Sequence, residues 1–543
     1  MNRQNSLFGL IVAGAIALLL VVFVGAYWLL PKKAAKLITP ASQPHTGVLV
    51  SKLSPAMVTL LINPEELRGL TTKQQFNQIK NTFLDKGKIN YPVDIKPWLG
   101  QEVTLAVTSI DIDHDSENGL QPGYLMILTT KQPAESREFL DLLFSQRAIA
   151  GADLAVERYK GVKLFSDKQD TALAGAVLDN YVLLANHPQI LRETINNLQA
   201  PNLNLSSTGE YQQAIQQLNK DAVGFAFFNL PLLTKWQGLE SSTLIYNSQI
   251  TSLIFKPQGF LTETTFLTNT QVTPPSIPLS QPVGALKYIP ENAGLVISGA
   301  NLSNLGNSNL AQLWQQATTT IYGSPAEALA RWGKPLLDFQ QKWGLNLSED
   351  VLKWVVGEYA IALFPNETQQ NPDWLLIVEK TPEVTAGINR LNEIAATHHL
   401  NVSTLNLNQH LISAWTELTA TTQNTAEPIV TAKVQGAHTT VGNYEIFASD
   451  LETMNKIFTS NIKPLTENAN FQASITTIPQ PNQGYIYLDW QQSHTWLEQQ
   501  QPILQFLEFL AKPLFNDLRS LTISSYGNES GTLKGGIFWQ LDN

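Results

Sequence analysis

The chain has no cysteine among its 543 residues. That absence excludes disulfides, thiolate metal sites, iron–sulfur clusters and cysteine nucleophiles. It leaves the compartment open, because a chain without thiols suits oxidising and reducing surroundings equally. Charge is scarce as well: Asp, Glu, Lys and Arg make up 15% of the chain, where soluble domains carry about 25%. Asn, Gln, Ser and Thr stand in for it, as in NVSTLNLNQH (401–410) and TATTQNTAE (419–427). A positive excess is missing too. With Lys+Arg 35 against Asp+Glu 45 the net charge is −10, which offers phosphate backbones no broad attraction, so no nucleic-acid partner is expected. What remains is an ordinary apolar fraction of 43% and enough chain for several domains at roughly 150 residues each. Wholesale disorder is excluded.

Residues 7–30, LFGLIVAGAIALLLVVFVGAYWLL, form an uncharged run of 24. As a helix it measures about 36 Å, enough to cross a hydrocarbon core of about 30 Å. Tyr27 and Trp28 lie at its end, where amphipathic rings favour the interface. The run exceeds the roughly 7–15 residues of a signal-peptide core, and Tyr27-Trp28-Leu29-Leu30-Pro31-Lys32-Lys33 offers no small-x-small cleavage site. An uncleaved, single-pass transmembrane helix (a signal anchor) is therefore expected, with the lipid bilayer as partner. Lys32, Lys33 and Lys36 against Arg3 favour a cytoplasmic body, while the six-residue tail and the size of the body favour translocation. The expectation is a large domain outside the cytoplasm. Gly9, Ala13, Ala17 and Gly25 fall on a four-residue ladder, a spacing that permits self-association in the bilayer; Gly and Ala are also common in spans that do not associate.

Two proline-bearing stretches punctuate the rest, PKKAAKLITPASQPHTG (31–47) and QVTPPSIPLSQPVG (271–284). Proline stops helices and central strands, so both read as linkers. The segments that they separate are alike. Asp94, Trp98, Glu102 and Ala106 recur as Asp350, Trp354, Glu358 and Ala362, each 256 residues on. GYLMILTTKQPAES (123–136) is echoed by DWLLIVEKTPEVT (373–385), LDNYVLLANHPQILRETINNL (178–198) by VGNYEIFASDLETMNKIFTSN (441–461), and GEYQQAIQQLNKDAVGFAFFNL (209–230) by ANFQASITTIPQPNQGYIYLDW (469–490). Collinear blocks at so long a period indicate a duplicated domain rather than a solenoid. Runs such as 103–107, 125–128, 182–185 and 225–228 read as strands. Thr381-Pro382-Glu383 and Pro188-Gln189 open helices, and 248–269 and 518–542 read as closing hairpins. Short turns outnumber helical crossovers. The expected fold class is α+β: an N-terminal transmembrane helix followed by two homologous copies of a mainly antiparallel sheet-plus-helices domain. The expected layout is an N-terminal tail (1–6), the helix (7–30), a spacer (31–46), the first copy (47–270), a Pro-rich linker (271–284) and the second copy (285–543).

The anchor, the linker, the D-x-x-x-W-x-x-x-E block ahead of a strand and the later Asn-Tyr strand–helix unit together resemble an uncharacterised cyanobacterial family of membrane-anchored proteins, defined by a domain of unknown function. The resemblance implies a plasma or thylakoid membrane, with a periplasmic or lumenal body, and carries over no catalytic residues.

A search for reactive constellations returns little. G-x-G-x-x-G, the P-loop, G-x-S-x-G and H-E-x-x-H are all absent. Trp332-Gly333-Lys334-Pro335 lacks the hydroxyl residue and upstream glycine of a P-loop. Ser460-Asn461-Ile462-Lys463 matches S-x-x-K without its partner motifs. The loop at 111–119 offers Asp111, Asp113 and Asp115 at alternate positions, the oxygen-donor pattern that hard cations take. Ser116 and Pro122 occupy places where an EF-hand needs Gly and Glu, so the loop reads as a solvated hairpin loop, with weak Ca²⁺ or Mg²⁺ binding as the alternative, and no metal site is expected. His398, His399 and His410 form the one histidine cluster, and adjacent helical residues diverge by about 100°. Trp98 and Trp354 read as core anchors. No catalytic residue and no cofactor is expected, and no enzyme. The reading that leads is an anchored binding or scaffold protein with protein partners in the envelope or thylakoid; the alternatives are a carrier of an apolar ligand and an enzyme with an unrecognised site.

Overall fold

The computed structural model describes residues 44–62, 91–113, 120–167, 173–236, 245–268, 278–303, 308–313, 346–365, 372–421, 429–459, 463–500, 512–527 and 531–542. The chain divides into two compact units, Met1–Val272 with Ser530–Thr532 and Asn543, and Thr273–Glu529 with Leu533–Asp542.

Among the described residues of the first unit, strands β1 (Ala56–Leu60), β2 (Leu99–Ser109), β3 (Gly123–Thr130), β4 (Leu154–Tyr159), β5 (Val162–Asp167), β6 (Ala174–Leu178), β7 (Tyr181–Ala185), β8 (Gly224–Asn229), β9 (Ser248–Lys256) and β10 (Gly259–Leu267) pair antiparallel in the order β10-β9-β8-β1-β2-β3-β7-β6-β5-β4. The second unit has β11 (Leu295–Gly299), β12 (Tyr359–Phe364), β13 (Asp373–Glu379), β14 (Asn401–Leu407), β15 (His410–Thr421), β16 (Ile429–Val441), β17 (Tyr444–Ala448), β18 (Tyr485–Asp489), β19 (Leu518–Ser525) and β20 (Thr532–Leu541). They pair antiparallel in the order β20-β19-β18-β11-β12-β13-β17-β16-β15-β14. The two orders are the same, strand for strand.

The register agrees too. In the first unit Phe227, Met57, Ala106, Leu125, Ala185 and Ala174 lie in one row across six neighbouring strands. Tyr487, Val296, Ala362, Leu375, Ala448 and Ala437 form the matching row in the second. All twelve are buried. A slip of one residue would turn each strand's apolar set to the opposite face, so the buried row fixes the pairing.

Helices α1 (Pro133–Ile149), α2 (Pro188–Gln199), α3 (Gly209–Gln216) and α4 (Leu230–Trp236) belong to the first unit. Phe139, Leu140, Leu143 and Phe144 of α1 pack on one sheet face with Trp98, Phe165 and Val182. Ile190, Leu191 and Ile195 of α2 and Tyr211 and Ala214 of α3 pack on the other with Met57, Leu125, Leu183 and Phe227. The second unit carries α5 (Pro382–Thr397), α6 (Leu451–Phe458), α7 (Ala469–Thr477) and α8 (Trp490–Gln500). Helix α5 begins where its local chemistry dictates: Thr381 Oγ1 accepts from the Val384 amide at 3.3 Å, and Pro382 is the first helical residue.

The repeated Asp–Trp–Glu block is a structural device in both units. Trp98 Nε1 donates to the Asp94 carbonyl at 2.6 Å, and Trp354 Nε1 donates to the Asp350 carbonyl at 2.6 Å. The Trp98 ring is 1% exposed and meets Phe139 at a centroid distance of 5.4 Å. Trp354 lies so close to α5 that a Cβ on Gly387 would overlap its indole. Four residues beyond each tryptophan a carboxylate caps a remote 3-10 turn. Glu102 accepts from the His45 and Thr46 amides, each at 3.1 Å, ahead of the turn Thr46–Val48. Glu358 accepts from the Gly284 amide at 2.9 Å, at the start of the turn Gly284–Tyr288. Negative charge there meets the unpaired amides of the turn.

The expected N-terminal transmembrane helix is corrected. Among the described residues no helix is long and apolar enough to cross a membrane. The reason lies in their patterning. The 17-residue α1 carries Glu135, Arg137, Glu138 and Asp141 on its open side and buries one apolar face, the signature of a helix laid on a sheet. Residues 7–30 lie outside the described residues. The fold is a large, mostly antiparallel sheet structure with helices.

Trp98→Ala removes a filled core position and is expected to destabilise the protein by about 3–5 kcal/mol; thermal unfolding measures it, and a cost under about 1 kcal/mol would place the ring outside the core. A second outcome concerns alkali. Burial raises the phenols of Tyr211 and Tyr359 well above the usual tyrosine range, as it does Tyr487 and Tyr444, the last also through the neighbouring Glu358 carboxylate. Above about pH 10 the unfolded chain releases protons that the native state keeps, so stability is expected to fall as pH rises past that point. Urea midpoints at pH 8, 10 and 11 check the sign.

Candidate functional site

The sequence candidates scatter. Asp111 uses its carboxylate within its own loop, accepting from the Gln121 amide at 3.2 Å while its carbonyl accepts from Ser109 Oγ at 2.7 Å. Asp113 is described and also has partners, whereas Asp115 lies outside the described residues. Among the described residues no group of three His, Asp or Glu side chains is placed to hold a metal ion. His398 closes the end of α5, His399 adopts φ 60°, and His410 stacks on Phe458 at 4.1 Å. The histidine cluster therefore shares no centre. Gly9, Ala13 and Ala17, Trp332-Gly333-Lys334-Pro335 and Ser460 lie outside the described residues.

Two features of the second unit emerge that composition did not single out. The first is a polar pair inside the sheet. His438 Nδ1 and Glu445 Oε1 are 2.7 Å apart, Thr440 Oγ1 donates to Glu445 Oε2 at 2.7 Å, and Glu445 is 3% exposed. Trp415 and Phe447 flank the imidazole at centroid distances of 5.4 and 5.6 Å. The row equivalence places Gly175, Val177, Val182 and Leu184 of the first unit at the positions of His438, Thr440, Glu445 and Phe447. One copy thus builds with apolar side chains what the other builds with an imidazole, a hydroxyl and a carboxylate. The carboxylate fixes the ring's orientation. His438 Nε2 is buried and, among the described residues, finds no hydrogen-bond partner. The sequence held a signal for this pair: in HTTVGNYE (438–445) a two-residue turn at Gly442-Asn443 sets 440 opposite 445.

The second feature is the end of the sheet. Strand β14 pairs with β15 from Asn401↔Thr416 to Leu407↔His410 and, among the described residues, has no second neighbour. Asn408 and Gln409, at φ 52° and 69°, form the two-residue turn between them, the conformation whose twist suits a hairpin. Asn408 Nδ2 donates to Asn455 Oδ1 of α6 at 2.6 Å, and the His410–Phe458 stack holds the same corner. A two-residue turn makes Leu407 and His410 a hydrogen-bonded pair. The alternation of the ladder then directs the main-chain groups of Ser403 and Leu405 to β15 and those of Val402, Thr404 and Asn406 outward. No charged residue and no proline lies in 401–407. Val402 and Leu405 are exposed, and Leu411 beside them is 70% exposed.

The corresponding strand of the first unit, β4, is guarded. Lys160 and Gly161, at φ 49° and 85°, make the same turn, but Glu157 of β4 takes a two-pronged ion pair from Arg192 at 2.8 Å and Arg158 follows it. Lys163 on the next strand pairs with Asp141 at 2.7 Å. Charges of this kind are how natural sheets discourage edge pairing; β14 has none.

A family described as protein of unknown function (DUF3352) matches residues 11–541. The chain belongs to this family. Among curated proteins none matches the chain. Crystal form IV of TP0453 is similar at 11% identity with a TM-score of 0.26, covering 42% of this chain and 81% of that one. Crystal form I of TP0453 has the same identity and score, covering 43% and 82%.

Glu445→Val, the residue of the first unit, strands the His438 ring without its partner and is expected to cost about 1–3 kcal/mol. Adding His438→Leu is expected to return part of that loss, with a coupling of about 0.5–3 kcal/mol in the double-mutant cycle. Additive losses in urea unfolding would show the two side chains to be independent.

Proposed function

We propose that this protein is a binding or scaffold protein that engages protein partners through the end of the second unit's sheet. The observation that supports the reading is β14 itself: a strand with outward-turned main-chain groups, exposed Val402 and Leu405, and no charge to repel an incoming strand. Strand addition draws affinity from main-chain hydrogen bonds and specificity from alternate side chains. The turn tied to α6 holds the strand in place beforehand, which lowers the entropic cost of association.

A photo-crosslinking amino acid placed at Leu411 in the full chain, with a second at the exposed Leu142 of α1 as control, tests the reading in growing cells. The expected outcome is a discrete protein adduct from position 411 and none from position 142. A chain that yields no adduct from 411 would overturn the reading.

A further inference from the structure

We infer that the partner of β14 is β14 of a second copy, paired antiparallel across a two-fold axis centred at Thr404; this rests on the binding role proposed above. The argument starts from what self-pairing demands. In an isologous antiparallel contact the residue on the axis faces itself and every other residue faces its mirror position, so a charge on the axis would face a like charge. Residues 401–407, Asn-Val-Ser-Thr-Leu-Asn-Leu, contain no charge, so the strand is electrostatically compatible with itself. The first unit's β4 differs in carrying the charges of Glu157 and Arg158.

Geometry agrees with chemistry. With the axis at Thr404, the outward main-chain groups of Thr404 meet those of Thr404 in the other copy, and those of Val402 meet Asn406 in both directions. All the groups that the ladder leaves facing outward find partners. Thr404 opposite Thr404 is a favourable cross-strand pair, as β-branched hydroxyl side chains can exchange a hydrogen bond. Ser403 then faces Leu405 on the opposite sheet surface. The exposed Leu411, which pairs with Asn406 within the copy, flanks the new junction. Two sheets become one continuous sheet without a change in either fold.

Sedimentation equilibrium of the full chain tests this. The wild type is expected at twice its 60.1 kDa mass. Thr404→Pro deletes an outward N–H and no bond to β15, so it should sediment as a monomer, with dissociation strengthened at least about tenfold, and with an unfolding midpoint equal to that of the wild type at concentrations where the wild type is dissociated. Thr404→Lys and Thr404→Glu should each be monomeric alone and associate when mixed, because the mixture places opposite charges across the axis; that result holds even if the proline variant fails to fold. A wild-type monomer at tens of micromolar, a Thr404→Pro dimer, or charge variants that fail to combine would each overturn the inference. The crosslink at Leu411 separates the two levels: an adduct of doubled chain mass supports self-pairing, an adduct with another protein retains the binding role and overturns self-pairing, and no adduct overturns both.

Discussion

Everything in either unit hangs on one indole. The tryptophan that donates to the carbonyl four residues before it closes a turn at 91–95 in one unit and 347–351 in the other, and the same ring then fills the space between sheet and helix. Because the ring is fixed at both its polar and its apolar ends, the strand that follows must start in one place. Its register passes to the neighbours, which the buried row from Phe227 to Ala174 carries across six strands. The glutamate four residues on, within β2 in one unit and just ahead of β12 in the other, adds a second tie to a turn more than 50 residues away in sequence, at His45 and Thr46, or 74 residues away at Gly284. A hydrogen bond to a charged acceptor contributes about 1.5–3 kcal/mol, so the motif combines a core anchor with a long-range clasp.

Once that frame is set, the copies are free to differ where it does not constrain them. The T-shaped pair of Tyr211 on Phe227 in one unit is Phe471 on Tyr487 in the other, at 5.1 and 5.0 Å. The hydroxyl changes sides while ring volume and angle stay. At the row of Gly175 the difference is larger: Phe144 comes within 2.8 Å of where a Cβ would stand, and in the other unit an imidazole on β16 occupies the corresponding place. Volume is conserved more strictly than polarity, as close packing requires.

Much of this was legible in advance, and the reason is locality. The Asp–Trp–Glu spacing, the Pro-initiated helices and the Asn-Tyr strand–helix units at Asn180 and Asn443 are all decided by residues within a few positions of each other. The strand order was not. Joining β3 to β7 and inserting β1 between β2 and β8 depend on contacts over long separations that no local pattern reports. The apolar run at 7–30 shows the opposite hazard, since a pattern strong in isolation led the architectural reading, while the described fold consists of helices that bury one face on a sheet. The aspartates at 111–115 were weighed as cation donors against a solvated hairpin loop; Asp111 accepts from an amide of its own loop. His438 and Glu445 escaped notice because they look unrelated until a turn folds one strand onto the next.

The two sheet ends show what a duplicated fold can do with a spare position. An unpaired strand is a hazard in any antiparallel sheet, and the usual remedy is charge. Glu157 with Arg192 and Lys163 with Asp141 supply it at β4, at little energetic gain to the fold, since surface ion pairs contribute roughly 0–1 kcal/mol. Their worth is in the pairings that they prevent. At β14 the remedy is missing although the surrounding supports are kept: the same turn conformation, and a clasp to the following helix through Asn455 where β4 uses Asn196 with Lys160. A strand that has the clasp and carries no charge is held in place and neutral, which is the state a pairing edge needs.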